Sequence, residues 1–300
     1  PKIRKHVHDF RDFTRLSTVN NIKKIDGLSD DLLEDIEKTL GKLNLNSNVM
    51  PSKFYHGGYI EASKLCSLFI ENSINHYLES NNPGNDYTSK LSMYLHFGQI
   101  SSLEIYERMT LAQEQHQIDG QSFDAFVEQL IIRRELAFNY VYYLDGYDQF
   151  EHMTEPWAYM TMNAHDLDFK PDIYSFEQIE LSQTHDPYFN AAMDEMRITG
   201  YMHNYMRMYW AKKIIEWSPS FGVSYRTIKE LNNKYFIDGR DPNSYAGIAW
   251  CFGKHDRAWN EREIFGKLRY MNDKGSIRKF DMQSYISRIE QYKKIDSNKI

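Results

Sequence analysis

The sequence predicts a mainly helical globular domain, and three observations support this class. Apolar residues recur at spacings of three and four along much of the chain, which is the period of a helix with one buried face. Alternation of polar and apolar residues between turn residues, the pattern of a half-buried strand, is scarce. With 300 residues, 41% of them hydrophobic and 15% aromatic, the chain is long enough to bury a substantial core.

The composition argues against membrane-spanning and disulfide-stabilised proteins. Mean hydropathy is −0.66, and no apolar stretch approaches the roughly 18 residues that a membrane helix needs. Two cysteines, Cys66 and Cys251, cannot form a disulfide framework, a four-cysteine zinc site or an iron–sulfur cluster, although one disulfide stays open. A soluble protein in a reducing intracellular setting is therefore expected, cytoplasmic or nuclear according to its host.

The first two predicted helices lie in the middle of the chain. One spans about residues 101–116, where Ser101 is expected to cap the N–H of Glu104 while the Glu104 side chain reaches back. The next spans about residues 123–135, because its apolar residues repeat at helical steps between charged ones. Its apolar positions are Phe123, Phe126, Val127, Leu130 and Ile131.

Two further helices are predicted in the last third. One runs from about Tyr201 to Trp217 and ends there because Pro219 cannot continue the hydrogen-bond ladder. The other runs from about Tyr225 to Tyr235. Polar punctuation at residues 81–86 and 238–243 predicts loops that are suited to ligand contacts.

The chain is expected to divide into a lead-in, residues 1–59, and one helical domain, residues 60–300. The lead-in is basic over residues 4–24 and acidic over residues 30–35. The chain begins with Pro1 and has no apolar signal segment, so a piece of a longer protein is expected.

Charge is distributed unevenly. The chain carries a net charge of −6, but residues 201–300 hold 19 Lys and Arg against 11 Asp and Glu, a net of +8. The remaining 200 residues therefore carry −14. This asymmetry suits a polyanion-binding face on an acidic body, and uneven solvated charge is the simpler alternative until motifs decide.

One face of the helix at residues 204–217 is unusual. Arg207, Trp210 and Trp217 share it with Ile214, so it combines one cation with two indoles. The guanidinium either stacks on a ring or pairs with a carboxylate inside the protein, or it serves an anionic or aromatic ligand. For this helix alone, stacking or pairing inside the protein is the better interpretation.

Two other clusters have both a structural and a functional reading. Trp250 and Trp259 bracket basic residues, which suits either a stacking cleft for unpaired bases or an ordinary core. Residues 87–92 are rich in hydroxyls, which suits phosphate oxygens or a plain loop. No glycine-rich phosphate loop, nucleophile elbow or zinc-binding histidine pair is present, and no metal is expected. Cofactor or nucleic-acid binding is as far as the residues alone lead.

Five ordered strings identify a resemblance. They are LSMYLHFGQIS at 91–101, RMYWAKKI at 207–214, LNNKY at 231–235, DGRDPN at 238–243 and FGKLRYM at 265–271. In order and spacing they resemble class II cyclobutane pyrimidine dimer photolyases, over about residues 77–292. The resemblance implies an all-α, FAD-binding domain of the photolyase/cryptochrome type, with the α/β antenna domain that normally precedes it absent from this chain.

The resemblance also implies a set of FAD-binding residues. Those expected at the diphosphate and ribose are Tyr77, Thr88, Ser89, Leu91 and Ser92. Around the isoalloxazine, a salt bridge between Arg207 and Asp238 is expected, with Asn232 at the N5 edge and Asp241 and Asn243 near the ring.

For the substrate, the resemblance implies double-stranded DNA that contains pyrimidine dimers. Trp250 and Trp259 would flank the flipped-out dimer, with Glu128, Met208 and Arg257 near it and Arg269 in the gap left in the duplex. Lys254 and Lys267 would add DNA contacts. Photoexcited reduced FAD would donate an electron to the dimer, and the protein is expected to be monomeric and to have no membrane role.

Three positions depart from the family pattern. Trp210 and Trp217 match two members of the tryptophan chain that reduces oxidised flavin, but the third position is Phe189, so slower photoreduction is expected, with Tyr188 or Tyr174 as a bypass. Asn81 stands where an arginine is common. The usual acidic pair at 128–129 is Glu-Gln, which leaves open which member faces the dimer.

Two alternatives to a repair enzyme remain at this stage. A cryptochrome-like photoreceptor would keep the flavin without repairing DNA, and a decayed fragment would keep only nonspecific DNA affinity. Retention of the two tryptophans and Arg269, with only a short expected tail from Lys294 to Ile300, favours the enzyme.

Overall fold

The computed structural model describes residues 36–43 and 49–297. Helices dominate throughout this part of the chain. The elements are α1 (Ile36–Gly41), α2 (Tyr59–Asn72), a 3₁₀ helix (Ile74–Glu79), α3 (Ser92–His96), α4 (Ser102–Glu114), α5 (Gly120–Val127), a π-helical segment (Glu128–Arg133), α6 (Arg134–Tyr143), α7 (Pro156–His165), α8 (Phe176–Glu180), α9 (Pro187–Thr199), α10 (Asn204–Trp217), α11 (Phe221–Tyr235), α12 (Pro242–Cys251), α13 (Asp273–Lys279) and α14 (Met282–Ser297).

Within the described ranges there is no β-sheet, only an isolated antiparallel bridge between Arg262 and Gly266. None of the helices in those ranges combines the length and apolarity needed to cross a bilayer. The predicted all-α class is confirmed.

Helix α4 corrects the predicted capping box. Ser101 is the N-cap, but its hydroxyl accepts from the N–H of Leu103 rather than that of Glu104. The Glu104 carboxylate accepts from Arg108 at 2.6 Å and from the Tyr59 hydroxyl at 2.9 Å. The Glu104 side chain therefore binds Arg108 and Tyr59 instead of the N–H of Ser101.

The helix predicted at residues 123–135 is present, but it has three parts. It begins at Gly120, capped by Asp119, widens into the π-helical segment and continues as α6 to Tyr143. A π-helical turn inserts an extra residue, and such turns are frequent at functional sites.

Helices α10 and α11 differ from their predicted starts. Helix α10 begins at Asn204, because the His203 side chain accepts from the N–H of Tyr205 and ends the preceding buried segment. Helix α11 begins at Phe221, four residues earlier than predicted, because Ser220 caps it through the N–H of Val223. The predicted ends at Trp217 and Tyr235 are correct.

Two hydrophobic cores organise the fold. The smaller joins α2 to the π-helical segment, and the larger joins α6 to α14. Tyr201 belongs to the smaller core although it directly precedes α10. The cavity described below lies between the two cores and is lined from both.

Part of the expected lead-in contacts the helical domain. The Ser52 hydroxyl donates to the Thr199 carbonyl at 2.7 Å, and Lys53 pairs with Asp296 at 2.9 Å. The basic stretch at residues 4–24 and the acidic one at 30–35 lie outside the described residues.

Candidate functional site

A cavity of about 480 Å³, within the range of cofactor sites, lies among the helices. Its walls come from the segment before α3, from the helical run α5 to α6, and from α10, α11 and α12. Both cores contribute apolar walls, for example Leu91 and Phe126 on one side and Trp210 and Phe236 on the other.

One wall is rich in hydroxyls. Thr88, Ser89 and Ser92 line it. The Thr88 hydroxyl lies 3.1 Å from that of Tyr201, and the Ser89 hydroxyl accepts from the N–H of Leu91 at 3.4 Å. This wall can donate hydrogen bonds to phosphate and ribose oxygens.

Tyr77 lies beside the hydroxyl-rich wall. Its ring packs edge-on against Phe69 and Phe126. Burial raises the pKa of Tyr77 to about 12, so its hydroxyl stays a neutral donor at all ordinary pH values.

The cavity wall also carries the ion pair expected for Arg207. Its Nη2 donates to both Asp238 oxygens at 3.0 and 3.1 Å, and its Nε donates to the Met202 carbonyl. The guanidinium also lies over Phe236, 3.9 Å from the ring centroid. Both alternatives for an arginine inside the protein, stacking and pairing, therefore occur together on a cavity wall.

Gly239 allows the Asp238 loop to approach α11. A Cβ at this glycine would lie 2.8 Å from the Asn232 carbonyl oxygen and 2.9 Å from that of Phe236. Only a glycine fits so close to the end of the helix, and this proximity sets Asp238 against Arg207.

Asn232 and Asp241 are buried and held by neighbours. The Asn232 amide oxygen accepts from the Ser244 hydroxyl at 3.2 Å, and its nitrogen donates to Asn233 at 2.9 Å. The side-chain nitrogen of Asn232 has two N–H groups, and only one of them has a partner among the described residues. The other can donate to a ligand. Asp241 caps α12 through the N–H of Asn243, and its other oxygen lies 3.1 Å from His96 Nδ1.

Two buried nitrogens on the cavity wall have no hydrogen-bond partner among the described residues. They are Trp210 Nε1 and Arg134 Nε. Unsatisfied buried donors cost about 1–3 kcal/mol each, so a polar ligand in the cavity would relieve both. A cavity wall that combines hydroxyls, an ion pair, amides and unsatisfied buried donors fits a flavin dinucleotide.

The expected electron-transfer residues lie behind this cavity. Trp210 lines the cavity, and both it and Trp217 are buried. The Trp217 ring contacts Phe189 at 5.1 Å and Tyr174 at 5.3 Å between centroids. The Tyr174 hydroxyl lies 2.6 Å from His185 Nδ1. Because its ring also contacts Trp217, Tyr174 is better placed than Tyr188 to replace the missing tryptophan in electron transfer. Tyr188 packs on the same core without a ring contact to Trp217 among those observed.

The predicted dimer-flanking residues lie on and beyond α12. Trp250 is half-buried on α12, does not line the cavity, and has Arg133 over its ring at 5.7 Å. Trp259 is 37% exposed and has the guanidinium of Arg269 over it at 4.6 Å and that of Arg257 at 5.2 Å. No direct contact between the two indoles is observed.

Asp256 organises the Trp259 loop. Its carboxylate accepts from the Arg269 Nε at 2.9 Å and from the Trp259 indole at 3.3 Å. Burial alone raises the pKa of Asp256, but the hydrogen bonds from Arg269, the Arg257 N–H and Trp259 outweigh it and hold the pKa below its ordinary range. The carboxylate therefore stays charged and keeps the indole and the arginine together.

The remaining predicted residues are placed unequally. Met208 lines the cavity, and so does Gln129, whereas Glu128 pairs with Arg133 at 3.3 Å outside it. Lys254 forms an ion pair with Glu155 at 2.7 Å, so its charge is already compensated and its predicted DNA contact is weakened.

Lys267 is the freer of the two lysines expected at DNA. Its side chain is 49% exposed, and its nitrogen lies 3.9 Å from the carboxylate of Glu261. It can therefore reach a phosphate with little rearrangement.

Sequence reasoning missed four residues of the cavity environment. They are Tyr201, His96, Phe236 and Arg134. Each lies in or next to a segment that was singled out, but its contacts come from residues that are distant in the sequence. No local pattern announces such a contact.

An all-helical fold around a cavity of this chemistry defines a helical flavin-dinucleotide-binding domain. Comparison with known proteins agrees: residues 126–300 match the model of a family described as the FAD binding domain of DNA photolyase. The chain belongs to this family, and its cofactor is FAD.

Proteins named as deoxyribodipyrimidine photo-lyases are similar to much of the chain. A deoxyribodipyrimidine photo-lyase of Methanothermobacter thermautotrophicus is 43% identical over 290 residues, which cover 96% of this chain and 62% of the relative. One of Oryza sativa subsp. japonica is 47% identical over 205 residues, 68% of this chain and 40% of the relative. The chain thus spans less than two thirds of the length of either protein.

Solved structures share the fold at lower identity. A class III photolyase from Agrobacterium tumefaciens superposes with a TM-score of 0.60 at 19% identity, covering 80% of this chain and 48% of that one. A cryptochrome from Synechocystis superposes with a TM-score of 0.59 at 18% identity, covering 83% and 48%. These likenesses establish the fold alone.

Proposed function

We propose that this chain is the flavin-binding catalytic part of a class II deoxyribodipyrimidine photo-lyase, which splits cyclobutane pyrimidine dimers in DNA with light. The observation that carries the proposal is the course of α12. Its N-cap, Asp241, and residues Gly247 and Ile248 line the cofactor cavity, and Trp250 follows Gly247 by roughly 4.5 Å along the axis. A base stacked on Trp250 would lie within short electron-transfer range of the cavity.

The cofactor supplies the photochemistry: when bound and fully reduced, FAD donates one electron to the dimer on absorbing blue light. The chain holds and orients it. Thr88, Ser89 and Ser92 would donate to the diphosphate and ribose, and the free N–H of Asn232 would donate to the ring edge. Arg207, fixed by Asp238, would provide positive charge beside the isoalloxazine.

The DNA surface supports the extrusion of a dimer. Photolyases are among the enzymes that flip their target base out of the stack, at a cost of a few kcal/mol that is lower for damaged bases. Stacking on an aromatic side chain returns about 1–3 kcal/mol per base, so Trp250 and Trp259 together can offset it. Arg257 and Lys267 would supply cations for the phosphates, while Arg269 is held beside Trp259 by Asp256.

Class II membership is supported by the five ordered strings, and the repair activity by the similarity to deoxyribodipyrimidine photo-lyases. Repair of genomic DNA would require an intracellular location, cytoplasmic or nuclear according to the host. A single chain presents both the cavity and the aromatic, basic surface, which supports a monomer as the working unit. Two relatives named as cryptochromes are 27% identical over 172 residues, which is a weaker similarity than that to the photo-lyases.

The test is light-dependent repair in solution. The purified chain, its FAD chemically reduced under anaerobic conditions, is mixed with an oligonucleotide that holds one thymine dimer. Blue light should remove the dimer, and a dark sample should not. Bound, fully reduced FAD without dimer loss would contradict repair and favour a photoreceptor, whereas a chain that binds DNA but no flavin would indicate a decayed fragment.

A further inference from the structure

Lys212 on α10 is a buried cation without an anionic partner. The residue is 2% exposed, and no carboxylate lies within ion-pair distance of its nitrogen in the described part of the chain. The adjacent Lys213, also buried, pairs with Glu216 at 2.9 Å. Burying a charge without a counter-charge is unfavourable, so the position of Lys212 calls for an explanation other than core packing.

The ammonium of Lys212 holds the end of α12. Its nitrogen donates to the carbonyl of Cys251, the last residue of that helix, at 2.5 Å. The last carbonyls of a helix lack partners inside it, and a cation beside them is favoured by the helix dipole. The contact therefore fixes the backbone one residue after Trp250.

Lys212 also contacts the segment that carries Trp259. Its nitrogen lies 5.8 Å from the ring centroid of Phe265, which is buried. Two residues beyond Phe265, the carbonyl of Lys267 accepts from the N–H of Trp259 at 2.8 Å. One side chain thus touches both of the elements that present the two tryptophans.

The side chain is charged at neutral pH. Burial lowers the pKa of Lys212 to about 8, so most of the amine is still protonated at pH 7. Among its neighbours, Cys251 and Asp256 raise this pKa, and the positive charge of Arg269 lowers it further. Lys212 therefore donates to the Cys251 carbonyl as an ammonium group, which gives a stronger hydrogen bond than a neutral amine would.

We propose that Lys212 is a positioning residue that fixes the gap between Trp250 and Trp259. The inference rests on the proposed function, because it takes these two indoles as the walls that hold the flipped-out dimer. No direct contact between the indoles is observed, so their separation depends on the groups behind them. Stacking is lost when facing rings move apart, so a wall that shifts would hold the dimer less well.

The experiment compares duplexes with and without one thymine dimer. Their affinities for the FAD-loaded chain are measured in the dark by fluorescence anisotropy, with helicity checked by circular dichroism and FAD content by absorbance. Lys212→Met removes charge and donor at similar length, and Lys212→Gln keeps an uncharged N–H donor. Lys213→Met is the matched control, a buried lysine of the same helix that pairs with Glu216.

Lys212→Met should reduce the preference for dimer-containing DNA by roughly 5- to 100-fold, which corresponds to the loss of one base stacked on an aromatic ring. Affinity for undamaged DNA and FAD content should stay at the wild-type level, because the phosphate contacts and the cavity wall keep their polar groups. Lys212→Gln should recover part of the preference, and Lys213→Met should retain all of it.

Three outcomes would overturn the assignment. An unchanged preference in Lys212→Met would show that the gap does not depend on the lysine. Equal losses for both duplexes would show that its charge acts on DNA phosphate. Loss of helicity or FAD in both Lys212→Met and Lys212→Gln would make the lysine a requirement of the fold.

Failure of the proposed function looks different from failure of this inference. The wild type itself would then bind FAD but show no preference for dimer-containing DNA and no loss of dimers in the light. A wild type that prefers and repairs dimers, with a Lys212→Met variant that does so equally well, would refute the role of Lys212 alone.

Discussion

The guanidinium of Arg207 on α10 spans both carboxylate oxygens of Asp238, 3.0 and 3.1 Å away, in the loop after α11. The pair ties α10 to the loop after α11 on the wall of the FAD cavity. Phe236 lies beneath the guanidinium, so the charge is fixed in position as well as compensated.

Asp238→Asn should therefore weaken both the fold and cofactor retention. The neutral amide leaves Arg207 without its counter-charge, at a cost of about 1–3 kcal/mol for this largely buried pair. Chemical denaturation measures the loss of unfolding free energy, and the flavin-to-protein absorbance ratio after gel filtration measures retention. The exposed Asp172→Asn is the matched control, and equal behaviour of the two variants would disprove the role of the pair.

Photoreduction of oxidised FAD should depend on Tyr174. Phe189 occupies the position where a tryptophan is expected, and phenylalanine is far harder to oxidise, whereas Tyr174 contacts Trp217 and can pass its proton to His185. Tyr174→Phe should slow photoreduction several-fold, as followed by loss of flavin absorbance under blue light with an external reductant.

The opposite change should accelerate it. Phe189→Trp restores an oxidisable ring next to Trp217, at a packing cost of about 1–3 kcal/mol because the site is fully buried. Repair by chemically reduced FAD should be unaffected by either substitution. If photoreduction is fast in the wild type, and Tyr174→Phe combined with Tyr188→Phe leaves its rate unchanged, the bypass is wrong.

Asp256→Asn should separate DNA affinity from lesion recognition. The carboxylate holds Arg269 and the Trp259 indole together, and its removal frees the arginine for phosphate. Affinity for undamaged DNA should hold or rise, with the slope of log K against log salt steeper by about 0.9, while the preference for dimer-containing DNA falls. Fluorescence anisotropy with both duplexes measures this, and parallel losses for both would refute it.

His165 should make stability pH-dependent near neutrality. Hydrogen bonds with Asp168, at 2.6 Å, and then with Glu261, at 3.1 Å, raise the pKa of His165 above its ordinary value. The stabilisation is complete below the unfolded pKa of about 6.5 and is lost as pH rises through the higher folded value.

Thermal unfolding of the wild type between pH 6 and pH 9 should show this loss. His165→Gln should flatten that part of the profile, while the exposed His116→Gln should leave it as in the wild type. A His165→Gln profile that parallels the wild type would show that the contacts of His165 with Asp168 and Glu261 do not make stability depend on pH.

The sequence predicts helices better than their ends. Periodicity located α4, α10 and α11, but the side chains of His203 and Ser220 decide where two of them begin. Glu104 fails to reach back because Arg108 and Tyr59 compete for it. Such competition arises only once distant segments are packed together.

The motif strings predicted more residues of the candidate site than helix periodicity and local charge could. Arg207 was anomalous on its helix, and its partner Asp238 came from the resemblance. Arg134 carried no signal, because an arginine between Arg133 and Glu135 is typical of a solvated face. Only the pairing of its neighbours and the burial of its Nε distinguish it.

The most direct measurement of the central claim is the number of thymine dimers removed per protein molecule under blue light, with the wild-type chain carrying reduced FAD. The wild type should remove more than one dimer per chain in the light and none in the dark. The Trp250→Ala variant should lose most of this turnover. Stoichiometric FAD with no light-dependent dimer loss would contradict the central claim.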